Sequence, residues 1–351
     1  MASSSSSGIK GIISKFVKYG LPTLLSVGLC YVLFRDIDLK EMYRFIVSEC
    51  DFSYVAIAMV LGALSFWIRG MRWRIQLRAM GVTPPASVMT YSIAGTYAVN
   101  LVLPRLGELW RCEYVARRER TSFASVLGSM VSERLADTVT VLLMLLATII
   151  WAGSAVDSFV DAYPETVNGI KRIVTSPVVY AAGIVAVAAV WLFLRLNRRR
   201  SWVIKLKKQL QELLSGITSI FHMRRAWLWL ILTVLLWGTY LTQMILCFEA
   251  FAPTSGYMGA HGPLIAIVAF VLGSISMGIP SNGGVGPYQI AIAFGIHCFM
   301  ADTLTREQSL SFATLVLGAQ IFVTIVCGLV SFVAIAIDNR RQSRLAAQET
   351  E

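Results

Sequence analysis

Charged side chains recur at short intervals in one strongly apolar region, and their chemistry suits the binding of an anion. Arg105, Glu108 and Arg111 follow one another at intervals of three residues, after Asn100 and Pro104. Arginine binds phosphate through two parallel hydrogen bonds, and an arginine near lipid usually faces a cavity or a partner. The sequence therefore predicts either a clamp for a phosphate or lipid headgroup, to which Asn100 also contributes, or a salt-bridged turn at the membrane interface.

A second charged group, Glu133, Arg134 and Asp137, stands at the start of an apolar run. Glu133 and Asp137 are four residues apart and share one helix face, from which Arg134 is offset. The helix dipole alone favours acids near a helix N-terminus. The alternative is that the acids pair with Arg105 or Arg111 across a cavity, where a buried acid pair would also be able to carry a proton.

Residues 280–287 contain three glycines and two prolines, which an ordinary spanning helix does not tolerate. Asn282 precedes Gly283, Gly284 and Gly286, and Gln289 follows them. Free backbone N–H groups ahead of a helix over 288–300 form a nest that accepts an anion. The alternative is a flexible re-entrant turn with no ligand.

Arg69, Arg72 and Arg74 follow another apolar run. They indicate either the positive charge that marks the cytoplasmic end of a span or, for Arg69, a further member of the anion site. The sequence shows no Ser-His-Asp spacing, no HExxH motif and no cluster of metal-ligating residues. We therefore expect no catalytic residue, metal or cofactor.

The elements that must position these residues are membrane helices. The chain has 351 residues, of which 56% are hydrophobic and 15% are charged, against about 25% charged in soluble domains. This composition excludes a soluble enzyme and a disordered chain. Six apolar runs are long enough to span a membrane: 17–34, 52–68, 136–152, 177–194, 226–250 and 310–337. Two broken regions, 86–104 with 122–131, and 262–300 interrupted at 280–286, are predicted to be re-entrant helical hairpins.

The basic residues place the loops after the second and fourth spans, and both termini, in the cytoplasm. This topology explains the net charge of +11, so nucleic-acid binding is not needed. Halves 15–152 and 177–337 each run span, span, hairpin, span from opposite sides, which predicts an all-α polytopic protein with an inverted-topology repeat. Residues 1–14 are predicted to be a disordered tail and 338–351 a cytoplasmic tail. Segment 202–221 is predicted to be an amphipathic helix on the membrane surface, or a simple connector.

Four motifs in order resemble the lysylphosphatidylglycerol synthase transmembrane family, also called flippase-like. They are 69–73, Asn100 with 104–108, 133–137, and Pro280 with 283–286. The resemblance covers about residues 15–337. The sequence departs from the family pattern at Pro287 and at Gln289, and at position 289 the family usually has Glu. It implies an integral protein of the bacterial or archaeal cytoplasmic membrane. The family's best-understood members carry a cytosolic aminoacyltransferase domain and move aminoacylated phosphatidylglycerol outward; we find no such domain in this sequence and expect no synthase activity.

Three functions stay open at this point. The first is a flippase that moves a phospholipid or a lipid-linked anionic headgroup, with Arg105 and Arg111 on one side and the glycine nest on the other. The second is a lipid-headgroup transferase. The third is a non-transporting partner of a lipid- or glycan-modifying enzyme. The sequence specifies neither the lipid nor the oligomeric state.

Overall fold

The computed structural model describes residues 39–151, 201–279 and 281–348, with single positions at 177, 181 and 195. Within these residues there are eleven α-helices and no β-strand, which confirms the all-α class. The predicted tail 1–14 and span 17–34 lie outside the described residues, and so does nearly all of span 177–194. The helices are α1 (Leu39–Glu49), α2 (Phe52–Ala79), α3 (Ala86–Val102), α4 (Leu106–Arg118), α5 (Phe123–Trp151), α6 (Ser201–Thr218), α7 (Ala226–Glu249), α8 (Ala252–His261), α9 (Leu264–Ser276), α10 (Pro287–Met300) and α11 (Arg306–Gln348).

Four of the described helices, α2, α5, α7 and α11, are long and apolar enough to cross a membrane. The pair α8 and α9, bent by 116°, is a fifth candidate. These helices carry large apolar side chains on their outer faces, such as Ile150 at 75% exposure and Val234 at 72%. Such surfaces need lipid around them. The protein is therefore a polytopic membrane protein.

Helix α5 corrects the predicted boundaries of the third span and the first hairpin. The sequence places that span at 136–152 and assigns 122–131 to the hairpin, but one continuous helix covers Phe123–Trp151. The helix continues through Glu133 and Asp137 because arginines of α2 neutralise both carboxylates. The first hairpin is therefore α3 with α4, and the last span is also longer than predicted, since α11 extends from Arg306 to Gln348.

The two halves repeat one order of helices: a long helix, a hairpin of two shorter helices and a second long helix. These are α2 to α5 in the first half, and α7, α9, α10 and α11 in the second. The packing repeats as well, because α2 lies against its counterpart α7, and α3 packs on α11 as α9 packs on α5. Reciprocal contacts of this kind arise when two units are related by a twofold axis. The repeat is thus present in helix order and packing, and its inverted orientation in a membrane stays a prediction.

Helix α6 occupies the predicted amphipathic segment and continues into a short 3-10 helix, Ser219–His222. It packs against α5, where Ser122 donates a hydrogen bond to Glu212 at 2.5 Å. Its apolar stripe is only partly covered, because Leu210 and Leu214 are exposed. These leucines are available to lipid, but the placement of α6 on the membrane surface stays a prediction.

Candidate functional site

Seven charged side chains from three helices of the first half lie together, and we call them the charge cluster. Five of them form an ion-pair network around Glu133, and Glu108 with Arg134 form a separate, adjoining pair. Arg72, Arg111 and Glu133 have no exposed surface and Arg69 is 4% exposed. The members are Arg69 and Arg72 from α2, Glu108 and Arg111 from α4, and Glu133, Arg134 and Asp137 from α5.

Glu133 is the centre of the charge cluster. Its Oε1 accepts a hydrogen bond from Arg72 Nη2 at 3.1 Å and lies 2.9 Å from Arg69 Nε. Its Oε2 accepts from Arg111 Nη2 at 2.9 Å. One helical turn further along, Asp137 accepts from Arg72 Nη2 at 2.6 Å and also from Arg69. The two acids are four residues apart on α5 and the two arginines are three residues apart on α2. Each pair therefore lies on one face of its helix, and these two faces meet.

Glu108 and Asn100 tie the first hairpin to α5. Glu108 accepts hydrogen bonds from Arg134 Nη2 at 3.2 Å and from Asn100 Nδ2 at 3.1 Å. The other end of the Asn100 amide accepts the backbone N–H of Gly107 at 2.8 Å. Among the described residues, Glu108 and Arg111 form ion pairs outside their own turn: Glu108 pairs with Arg134, and Arg111 pairs with Glu133.

The charge cluster carries one more positive charge than negative, because four arginines face three carboxylates. Four buried guanidinium nitrogens have no hydrogen-bond acceptor among the described residues: Arg72 Nε, Arg111 Nε, Arg111 Nη1 and Arg134 Nε. Arg69 Nε is close to Glu133 but is not aligned for a hydrogen bond. Buried charges are stable when they are paired and hydrogen-bonded. The arrangement is therefore suited to one additional anion that accepts these donors.

Aromatic and hydroxyl groups complete the surroundings of the arginines. The Arg111 guanidinium lies 4.4 Å from the centre of the Trp73 ring, and Arg72 lies 5.4 Å from that of Trp229. Both distances are within the range of cation–π attraction. From α7 of the second half, Tyr240 Oη lies 3.4 Å from Arg69 Nη1, so the charge cluster borders both halves.

Of the two arginines predicted as alternative partners of the α5 acids, Arg111 pairs with Glu133, whereas Arg105 does not belong to the charge cluster. It is the residue before α4, with a left-handed backbone at φ 65°, and its side chain points to the second hairpin. There, Nη2 donates to the carbonyl oxygens of Met277 and Gly278, both at 2.8 Å.

The glycine loop between α9 and α10 is partly closed by its own hydrogen bonds. Gly283, Gly284 and Gly286 all have positive φ, as a backbone nest requires. However, Gly286 N–H donates to Gln289 Oε1 at 3.1 Å, and Val285 N–H donates to the carbonyl of Asn282 at the same distance. These two N–H groups of the predicted nest are therefore already used within the protein.

An open, mainly apolar groove of about 400 Å³ lies beside α4, the helix that carries Glu108 and Arg111. Its lining suits a hydrocarbon chain, and Glu113 is its charged residue. The lining consists of Val99, Leu103, Leu106, Leu109, Trp110, Glu113 and Phe123.

Three members of the site were not predicted from the sequence: Arg72, Trp73 and Gln76. Gln76 donates to the Ser129 carbonyl at 3.0 Å and also to the Ser132 hydroxyl. A signal was present, because positions 69, 72, 73 and 76 fall on one face of helix α2. In the described part of the chain, no group of three or more His, Cys, Asp or Glu is placed to hold a metal ion.

Comparison with known proteins gives a family match and a partial match to one relative. A family described as the lysylphosphatidylglycerol synthase TM region matches residues 20–328. Glycosyltransferase AglD from Haloferax volcanii is 31% identical over 119 residues, which is 34% of this chain and 19% of that protein. The match thus spans about a fifth of that relative's length. No solved structure matches the chain.

Proposed function

Because the chain belongs to the family of the lysylphosphatidylglycerol synthase transmembrane region, we propose that it is a transporter of a lipid with an anionic headgroup. The observation that carries this proposal is the positive charge surplus of the charge cluster, with buried donors on Arg111 and Arg134 that lack acceptors in the described part of the chain. A phosphate oxygen supplies both the missing charge and the missing acceptor.

The access route in this proposal runs along Arg134, whose side chain is 34% exposed, whereas Arg111 behind it is fully buried. A headgroup phosphate first meets Arg134 and then accepts from Arg111 Nη1. The hydrocarbon part stays in the apolar groove beside α4, outside the charge cluster. If the membrane interior is negative, outward movement of one negative charge gains about 2.3 kcal/mol per 100 mV.

We further propose that the protein lies in the cytoplasmic membrane of a bacterium or archaeon with both termini inside. In that orientation the first hairpin enters from the cytoplasm. The two hairpins would then be re-entrant, and irregular backbone at membrane depth is tolerated where protein or a wet cavity surrounds it. Cysteines placed in the loops, labelled with a reagent that does not cross membranes, test this orientation.

The test of transport uses purified protein in phosphatidylcholine liposomes with a trace of headgroup-labelled phosphatidylglycerol and a quencher that stays outside. Arg134→Gln removes one charge from the charge cluster, and Arg117→Gln is its matched control, since Arg117 is 81% exposed and pairs with Glu113. A hydrogen bond to a charged group contributes about 1.5–3 kcal/mol. We therefore expect Arg134→Gln to slow translocation by about 10- to 100-fold, and Arg117→Gln to leave it unchanged.

Two results would contradict transport through the charge cluster. One is a translocation rate no faster than in protein-free liposomes across zwitterionic and anionic headgroups. The other is an Arg134→Gln protein that folds and transports as fast as the Arg117→Gln control.

A second candidate function is the transfer of a headgroup or sugar onto a lipid, and the partial similarity to a protein named a glycosyltransferase favours it. The same liposomes, supplied with an activated sugar or aminoacyl donor, distinguish the two. New lipid product without translocation would favour a transferase. An absence of both, together with stable co-purification of a lipid-modifying enzyme, would favour a partner role.

A further inference from the structure

The turns of the two hairpins touch each other, and we call the facing segments, 103–105 with 277–279 and 281–286, the hairpin turns. Two separate contacts join them. Arg105 donates to the carbonyls of Met277 and Gly278, and Leu101 just before the first turn packs on Gly283. A Cβ atom at Gly283 would lie 2.5 Å from Leu101 Cδ2, and φ at this residue is +62°. Only glycine allows both this backbone and this close approach.

Arg105 occupies the position of a cap at the end of α9. Met277 directly follows the last helical residue of α9, where carbonyl groups have no partner within the helix. A positive side chain at that end is favoured by the helix dipole. Arg105 reaches these carbonyls from a left-handed backbone conformation that non-glycine residues rarely adopt. The contact between the turns is thus a specific one.

The charge of Arg105 is nevertheless balanced only by dipoles. In the described part of the chain, no Asp or Glu lies within ion-pair distance of its guanidinium. The residue is also exposed, so a ligand is able to reach it. A phosphate oxygen carries a full charge and accepts two parallel hydrogen bonds, which are stronger than bonds to neutral carbonyls. An anion at the hairpin turns therefore competes with Met277 and Gly278 for the same guanidinium.

We propose that Arg105 is an exchangeable phosphate-binding residue that couples ligand binding to the opening of the hairpin turns. A phosphate replaces the carbonyls of Met277 and Gly278, which follow α9, as the hydrogen-bond acceptor of the guanidinium. The contact between the hairpins then loosens, because it depends on the packing of Leu101 on Gly283. This inference rests on the proposed function in taking phosphate as the ligand. It adds a second binding residue, separate from the charge cluster, and a direction of conformational change.

Hydrogen–deuterium exchange of the full chain in phosphatidylcholine nanodiscs tests the proposal. The reporter is the peptide 278–286, whose amides at Gly278, Ile279 and Val285 donate local hydrogen bonds. One arm adds inorganic phosphate to the buffer, and the other replaces part of the phosphatidylcholine by phosphatidylglycerol. The first arm detects free phosphate as ligand and the second detects a lipid headgroup.

We expect either arm to raise the exchange rate of this peptide at least tenfold, because the loss of even one hydrogen bond to a charged group corresponds to about that factor. Arg105→Gln exchanges fast without any anion and responds no further. Arg105→Lys keeps the charge and a partial response. Arg117→Gln, the exposed control on α4, behaves like the unaltered protein.

Unchanged exchange in both arms overturns the proposal, and so does an Arg105→Gln protein that is as protected as the unaltered one. If Arg105→Gln does not fold, the change in exchange rate of the unaltered protein and of Arg105→Lys still tests the proposal. Failure here is distinct from failure of the proposed function. If translocation depends on Arg134 but the hairpin turns do not respond, the proposed transport stands and only the proposed role of Arg105 is refuted.

Discussion

Replacing Glu133 by Gln removes the carboxylate that three buried arginines share. Its oxygens lie 2.9 Å from Arg69 Nε, 3.1 Å from Arg72 Nη2 and 2.9 Å from Arg111 Nη2. The surplus of the charge cluster rises from one positive charge to two. The NH2 group of the Gln side chain is a hydrogen-bond donor and would face arginine N–H donors. Breaking a buried ion pair from one side costs about 3–5 kcal/mol. We therefore expect the free energy of unfolding to fall by about that amount.

The measurement is the free energy of unfolding in mixed micelles, for this variant and for Glu113→Gln. Glu113 is the matched control, because it is also a glutamate paired with an arginine, but its side chain is 42% exposed and its partner Arg117 is four residues along the same helix. Exposed helix pairs of this spacing contribute about 0.3–0.5 kcal/mol. For a cost of about 3 kcal/mol at Glu133, the predicted difference between the two variants is thus roughly 60- to 100-fold in the unfolding equilibrium constant.

A Glu133→Gln protein about as stable as the Glu113→Gln control would refute the reasoning. It would mean that the charge cluster is solvated, so that its charge surplus creates no demand for an anion. If Glu133→Gln does not accumulate, Asp137→Asn decides instead. The Asp137 side chain is 12% exposed and pairs with two arginines, so a smaller loss in the same direction is expected.

Two further predictions concern local structure. Gly107→Ala places a Cβ onto the carbonyl oxygen of Thr96, so we expect a loss of about 1–3 kcal/mol in unfolding free energy. Gly238→Ala, where no atom lies within 4 Å, is the control and is expected to gain up to about 1 kcal/mol. At the start of α2, hydrogen bonds from Ser53 lower the pKa of Asp51 below 3.8. The cap therefore stabilises the fold above the ordinary pKa of Asp and is lost as the pH falls through the lowered value. Asp51→Asn keeps the cap, so a titration of unfolding free energy into the acid range is expected to show a weaker decline for this variant.

Residue spacing identified the correct acids but could not assign their partners. Glu133 and Asp137 share a face because an α-helix repeats every 3.6 residues, and this much is local. Which arginines meet that face depends on how α2 and α4 pack on α5. Arg72 looked like an ordinary cytoplasmic charge, because arginines commonly mark the cytoplasmic ends of spans. The structure buries Arg72 completely and leaves Arg78 exposed, and in the sequence only the helix face that Arg72 shares with 69, 73 and 76 separates the two.

Hydropathy located the apolar runs, but it could not locate the ends of helices that continue through charged residues held in ion pairs. The prediction that the third span begins at 136 assumes that the ionised side chains before it exclude a helix from the membrane. Once Arg69 and Arg72 neutralise the acids, the helix continues unbroken from Phe123. Arg105 shows the opposite error. The three-residue spacing to Glu108 predicts a contact only inside a helix, and its left-handed backbone places it outside α4.

The contacts of the arginines are stronger within the first half than to the second half. This difference would make the proposed anion favour one conformational state over the other. All ion pairs of the charge cluster lie within the first half, whereas α7 offers only neutral groups at longer range. Tyr240 lies 3.4 Å from Arg69, and Thr233 lies 3.5 Å from Arg72. A small separation of the halves would break these neutral contacts and leave the ion pairs intact. Arg69 and Arg72, like Arg105 at the hairpin turns, would then have donors without acceptors. If the proposed anion satisfies such donors, it would bind the separated state more tightly, and by linkage its binding would favour separation.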